Sequence, residues 1–363
     1  MDAVSFAGEG LAAELVPTEE LADCAATVLA ADGPRILSYG AGAGYTPLRE
    51  LLAERLGVHP FRVLLTNGWL QGFRMLLHRR AMGQNVVCEY PTYDRALESI
   101  FQARANLLYL DLHPDGFAED QLEFLLRTSQ KPVLAYTNPT FHNPTGLSLS
   151  RAQRLRLGDW LHNRHGVLVV EDDAYGMLRY EGEPLPTMFE LSLRTIVYST
   201  SFSATIAPGL RVGVFVVPDE LAGGLAAIAG STYIAPVLLA QATVFEFLQR
   251  GRLEPHLATL NERLARRRDA TIAALGRLFP GAEWSRPEGG LYVLLRLPPG
   301  TNAAEVLERA EGVTAGAATP YGGLPPNAIR LNFGAPASVE EIETGIERLA
   351  LAYANRPGVG PDA

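Results

Sequence analysis

Lysine is nearly absent from this chain of 363 residues: Lys131 stands alone against 30 arginines. Chemistry that requires an unprotonated lysine amine therefore has a single candidate. Cysteine is scarce as well. Cys24 and Cys88 lie far apart, without partners at metal-binding spacing, and read as reduced thiols. That excludes a disulfide framework, and the seven histidines show no ligand spacing either. No apolar run is long enough to cross a bilayer, and the first residues lack the basic and apolar regions of a secretory signal, so a cytoplasmic location is expected. Positive charge is in deficit. A formal net charge of −9 argues against nucleic acid or an anionic membrane as the main partner.

What is present is an ordinary globular balance, 47% hydrophobic and 20% charged, over a length suited to one large and one smaller domain. Short apolar, β-branched runs recur at 62–66, 85–89, 106–111, 132–137, 166–171, 194–199 and 211–217. Amphipathic stretches such as 71–80, 119–128 and 150–164 lie between them. This alternation predicts an α/β fold with a mostly parallel, seven-stranded sheet covered on both faces. A second unit follows, with strands at 290–297 and 328–333 and helices at 302–311 and 338–354. The expected division is an N-terminal arm with a substrate loop (1–45), a large domain (46–269), a small α/β domain (270–355) and a disordered tail (356–363). Sites in such sheets sit at the carboxyl ends of strands, which directs attention to the loops there.

Four of those loops carry polar residues. Asp172-Asp173-Ala174-Tyr175 follows one strand, and its first carboxylate suits a buried heterocyclic nitrogen that must stay protonated; an aspartate capping the next helix is the plainer reading. Asn143-Pro144-Thr145-Gly146 follows another, with proline holding the asparagine extended, although the motif also suits a simple turn. Gly68-Trp69-Leu70 joins a strand to a helix whose first N–H groups make a phosphate cradle, or a plain βα turn. Ser201, Ser203 and Arg211 supply hydroxyls and a guanidinium, which are good phosphate ligands.

Their joint order along the chain resembles the class I/II aminotransferases of pyridoxal 5′-phosphate (PLP) fold type I. Within it, the chain resembles the branch that holds 2-aminoadipate aminotransferase and the aminotransferase-like domains of MocR-type regulators. The likeness runs from Ser5-Phe6-Ala7-Gly8 to the last helix. It takes in Gly44-Tyr45-Thr46-Pro47, Pro91-Thr92-Tyr93, Asn143-Pro144-Thr145-Gly146 and Asp172-Asp173-Ala174-Tyr175. It continues through Ser201-Phe202-Ser203, Ala207-Pro208-Gly209-Leu210-Arg211, Gly289-Gly290 and Arg330-Leu331-Asn332-Phe333.

The resemblance implies a homodimeric, PLP-dependent transferase acting on an L-α-amino acid through an external aldimine and a quinonoid. It implies that Asp172 pairs with the ring nitrogen, that Tyr175 and Asn143 bond the ring's phenolic oxygen, and that Tyr93 stacks on the ring. Phosphate would be held by Gly68, the backbone at Trp69 and Leu70, Ser201, Ser203 and Arg211, with Tyr39 reaching in from the partner subunit. Arg330, assisted by Asn143, would clamp the substrate carboxylate, and Gly8, Glu9 and Gly10 would lie beside its side chain.

One departure matters most. Where the family has the lysine that bonds the cofactor and shuttles protons, this chain has Ala204. Three readings stay open: an engineered substitution that traps a substrate adduct, a natural relative that binds PLP or an amino acid as a sensor, and an enzyme using another base, for which His142 is nearest in sequence. A PLP-dependent lyase, or a decarboxylating or oxidative enzyme, is the alternative to transamination. Lys131, placed before a strand and not after it, is expected at the wrong end of the sheet. Trp69 replaces a polar residue of the family and is expected at the pocket mouth. Glu9 and Glu14 raise the idea of a cationic substrate side chain, with solvated loop carboxylates as the plainer reading.

Overall fold

A computed structural model of the chain describes residues 3–113, 115–127, 131–192, 195–317 and 323–355. The expected tail at 356–363 lies outside them. Along the chain the strands are β1 (Val4–Ser5), β2 (Val63–Asn67), β3 (Asn85–Tyr90), β4 (Asn106–His113), β5 (Gly116–Phe117), β6 (Leu134–Thr137) and β7 (Leu168–Asp172). They continue with β8 (Val197–Ser201), β9 (Val212–Val216), β10 (Glu283–Trp284), β11 (Tyr292–Arg296), β12 (Val313–Thr314) and β13 (Ala328–Asn332). The principal helices used below are α1 (Trp69–Arg80), α2 (Asp94–Gln102), α3 (Arg151–Gly158) and α4 (Leu253–Leu278).

The large sheet runs β2-β9-β8-β7-β6-β3-β4-β5. All seven expected strands are in it. The eighth, β5, is a two-residue antiparallel partner of β4 at the edge, too short to leave a periodic signal. Neighbours from β8 through β4 pair in parallel, and β9 runs against both β8 and β2. Alternate residues of each central strand enter different cores: Val87, Ala135, Val169 and Val214 face one layer, while Val86, Leu134, Val170 and Phe215 face the other. That period of two is why these strands read as unbroken apolar runs, since both faces are covered.

A third core holds the C-terminal unit, with its antiparallel sheet β10-β11-β13. It starts earlier than 270. The helix α4 passes through that position without a break, Leu260 and Leu264 already belong to the C-terminal core, and Leu257 packs against both units. The arm divides too: Val4, Phe6, Ala12 and Leu15 join the C-terminal core, and β1 pairs with β12. Helical periodicity cannot report which body a continuous helix joins, which is why the boundary was displaced.

Register brings the site together. The carboxyl ends of β6, β7 and β8 lie at one edge of the sheet, with Thr137 opposite Glu171 and Asp172 opposite Ser199. Because β9 is antiparallel, its first residue, Val212, lies opposite Asn67, the last residue of β2, so Arg211 enters at the same edge. Lys131 is exposed and precedes β6, beside the start of β3, at the opposite edge.

Candidate active site

The carboxyl edge of the sheet opens into a cavity of ≈ 360 Å³. Its base is Asp172, buried at the end of β7. One carboxylate oxygen, Oδ2, accepts a 2.9 Å hydrogen bond from the Tyr136 hydroxyl, and the other, Oδ1, has no partner among the described residues. No helix begins in the fifteen residues that follow Asp172, so capping a following helix is not its role. An unpaired buried carboxylate oxygen is costly unless a donor arrives. Burial pushes the Asp172 carboxyl up to about 7; the Tyr136 hydrogen bond acts against this, and the neighbouring Asp173 adds to it.

At one end of the cavity are hydroxyls and a guanidinium. Ser201 and Ser203 lie 3.0 Å apart, oxygen to oxygen, and both line the cavity with Arg211. Gly68, at φ 85°, precedes α1, whose first residues, Trp69 and Leu70, line the same end. A Cβ at position 68 would fall 2.0 Å from an Arg211 guanidinium nitrogen, so any side chain there would displace the arginine. Unbonded N–H groups of a first helical turn, two hydroxyls and a guanidinium form an anion site.

Trp69 is not at the pocket mouth. Its ring stacks on Phe73, one helical turn on, at 4.6 Å, and its N–H donates to Ser199 Oγ at 2.8 Å. The indole is therefore a buried floor under Tyr136, a placement that the i, i+4 spacing of two aromatics favours.

The opposite wall belongs to the loop after β6. Arg154, from α3, is buried and donates to the carbonyls of Leu149 and Pro139 and to Thr140 Oγ1, which fixes that loop. Within it Asn143 is held by its N–H to Asn138 Oδ1 (2.6 Å); its amide faces the Tyr175 hydroxyl at 3.4 Å and accepts from Arg330 at 3.1 Å. Tyr175 stands edge-on to Tyr292, whose hydroxyl is 3.4 Å away.

Arg330 is buried behind Asn143, and its Nε is unpaired. It stands outside the cavity wall, as do Gly68 and Gly8, while Glu9 and Gly10 line the mouth. Tyr39 is 85% exposed and does not line its own chain's cavity.

Four wall residues were not anticipated: Arg95, Tyr136, Ala174 and Pro208. Tyr136 lies two residues before Asn138 on β6 and could have been read from strand alternation; Arg95 leaves no signal at all, being one arginine of 30.

Ala204 is at the wall, buried, and packs in the C-terminal core with Tyr175 and Phe141. No lysine is near it. His142 is turned away: its ring contacts Thr145 Oγ1 at 2.9 Å and Glu89 at 3.4 Å, and it does not line the cavity. Glu14 pairs with Arg267, and Glu9 with Arg95, so neither carboxylate is free for a cationic side chain.

Comparison with known proteins decides the family: the model of aminotransferase class I and II matches residues 10–349. The chain belongs to the class I and II aminotransferase family. The chain is 34% identical to the 2-aminoadipate transaminase of Thermus thermophilus, over 96% of this chain and 89% of that one. An uncharacterized helix-turn-helix transcriptional regulator of Bacillus subtilis is 32% identical over 93% of this chain and 72% of its own. Among solved structures, the Thermus thermophilus α-aminoadipate aminotransferase complexed with N-(5′-phosphopyridoxyl)-L-leucine has a TM-score of 0.90 at 32% identity, covering 96% of this chain and 92% of that one.

Aminotransferases of this family depend on PLP, and the residues here fit that cofactor. The unpaired Asp172 oxygen suits a protonated ring nitrogen, and the Gly68 notch with Arg211 suits a phosphate.

Without a bound cation, Asp172 keeps in the folded state a proton that the unfolded chain loses near the ordinary aspartate value. The same holds for Asp173, pushed up to about 6, and Glu171, pushed up to about 8, both chiefly by burial. The folded protein thus binds more protons than the unfolded one across this window, and stability falls as pH rises from about 4 to about 8. Urea unfolding of the PLP-free protein should show that decline, and Asp172→Asn should make it shallower. A slope unchanged in the variant would mean that Asp172 ionises normally.

Proposed function

We propose that this chain binds PLP without a covalent bond, together with an L-α-amino acid, and does not catalyse transamination as it stands. The observation that carries this reading is the pairing of a complete cofactor cavity with alanine at position 204. Asp172 takes the ring nitrogen, Tyr175 and Asn143 the phenolic oxygen, and Tyr93 the ring face. Ser201, Ser203, Arg211 and the turn at Gly68, Trp69 and Leu70 take the phosphate, and Arg330 takes the amino acid's carboxylate through its paired guanidinium nitrogens. Bound there, PLP supplies an electron-withdrawing ring for charge developing at the amino acid's Cα.

The residues of this chain supply binding and orientation but no mobile base. Tyr93, Tyr136 and Tyr175 are pushed well above the ordinary tyrosine range by burial and stay protonated. Of the two carboxylates that line the cavity, Asp172 is committed to the ring nitrogen and Glu9 is held by Tyr93 and Arg95. With Lys131 at the far edge and His142 turned away, no described residue beside position 204 is suited to carry a proton between Cα and the cofactor. That weighs against an enzyme using another base. Whether the final chemistry of a lysine-bearing form is transamination, lyase or oxidative is set by small differences in pose, and transamination is the reading we adopt.

Borohydride reduction of the native protein with PLP should leave the chain's mass unchanged, whereas Ala204→Lys should gain a reduced PLP adduct and turn over amino acids only with a 2-oxo acid acceptor. Fixation of PLP to the native chain at another residue would overturn the proposal. Turnover of the lysine form without an acceptor would exclude simple transamination.

We also propose a homodimer with Tyr39 reaching the partner's phosphate site. Its support is an exposed apolar group in which Leu37 and Tyr39 precede Gly40, which packs on Leu238 beside exposed Val237 and Ile234. Sedimentation should give the mass of two chains, and Tyr39→Ala should weaken PLP binding; a monomer with unaltered affinity contradicts it.

A further inference from the structure

Asn138 is not part of the cavity wall, yet it is bonded to two residues that are. It is the first residue after β6, buried, and followed by Pro139. Register pairs Thr137 with Glu171, so position 138 falls beside Asp172 just where the strand ladder stops, and Pro139 has no N–H to extend it. The Asn138 side chain takes over there. Its Nδ2 donates to the Asp172 carbonyl at 2.5 Å, and its Oδ1 accepts from the Asn143 N–H at 2.6 Å. These partners fix the amide's direction, because an N–H only donates and a carbonyl only accepts.

Asn138 is held in turn from β3. Glu89, buried near the end of that strand, accepts from the Asn138 backbone N–H at 2.9 Å through Oε2 and from the Thr137 hydroxyl through Oε1. His142 Nε2 lies 3.4 Å from Oε2 of the same carboxylate. Backbone and side chain of Asn138 are therefore both tied down, and turning its amide would break two buried hydrogen bonds at once. Alanine at this position would span neither partner; aspartate would keep the acceptor but lose the donor.

We propose that Asn138 is a positioning residue that holds Asp172 and Asn143 at the separation one pyridine ring requires, so that recognition of the ring nitrogen and of the phenolic oxygen becomes one coupled event. The assignment rests on the proposed binding of PLP and says how that site is kept in shape. Glu89 acts one step further back, through Asn138. A ring met at two edges by groups locked to each other costs little side-chain and loop freedom on binding, and that is the source of the gain in affinity. The phosphate end is built at β2, β8 and β9 and takes no part in the coupling.

Quenching of tryptophan fluorescence reports PLP binding, since Trp69 lines the cavity, and induced circular dichroism of the bound cofactor reports how firmly its ring is oriented. Inorganic phosphate, which occupies only the Arg211 end, is the control ligand, followed by its protection against thermal unfolding. Asn138→Ala should weaken PLP binding about tenfold or more and reduce the induced ellipticity, while phosphate affinity stays within about twofold. In an Asn143→Ala background the same substitution should cost about threefold or less, because one of the two residues it couples is already gone. Glu89→Gln, which leaves a carbonyl oxygen for one of its two donors, should weaken PLP binding in the same direction and by less; it carries the test if Asn138→Ala does not fold.

Native PLP affinity and ellipticity in these variants overturn the assignment. So does a parallel loss of phosphate binding, which marks general damage to the cavity, and so does an undiminished loss in the Asn143→Ala background, which marks independent contributions. Each of these results leaves PLP binding standing, whereas a native chain that shows no quenching by PLP refutes the underlying reading and this assignment with it.

Discussion

The site depends on one buried carboxylate with half its hydrogen bonds supplied. Asp172 lines the cavity with one oxygen secured by Tyr136 and the other without a hydrogen-bond partner among the described residues. A protein interior rarely tolerates such a group without a reason, because an unpaired buried acceptor costs on the order of 1–3 kcal/mol. The surrounding structure maintains the arrangement. Register places Asp172 opposite Ser199, Asn138 donates to its backbone carbonyl at 2.5 Å, and Tyr136, which bonds its carboxylate, packs on the buried Trp69 ring. In the proposed binding mode a protonated heterocyclic nitrogen completes the set, and Arg211 with Ser201 and Ser203 takes the cofactor's phosphate.

The structure also accommodates alanine at position 204. Ala204 packs in the C-terminal core with Tyr175 and Phe141, so the smaller side chain is accommodated by apolar neighbours. The contacts that would hold PLP come from the ends of β2, β3, β6, β7 and β8 and the start of β9, and none of them is residue 204. On the proposed reading, cofactor binding and covalent chemistry are separable in this fold.

Much of this could be read from the residues in order. The seven strands of the large sheet were legible because burial on both faces writes them as apolar runs, and twelve of the expected site residues do meet at one cavity. Other features were not legible, for physical reasons. Trp69 was placed at the mouth because its position was read from the backbone turn, while its ring follows Phe73 into the core. The domain boundary was displaced because α4 serves two cores without changing its periodicity. Arg330 keeps its partner Asn143 but stands behind it, a depth that sequence order does not encode. The pairing of Arg95 with Glu9 depends on a contact across 86 residues, which no regular pattern announces.

The account stands on the charge state of the ring nitrogen against Asp172. Bound to the native chain, ¹⁵N-labelled PLP should show a protonated pyridine nitrogen at a pH where free PLP has lost that proton, and Asp172→Asn should return it to the free value. A deprotonated nitrogen in the native complex, or a signal indifferent to Asp172, would contradict the account.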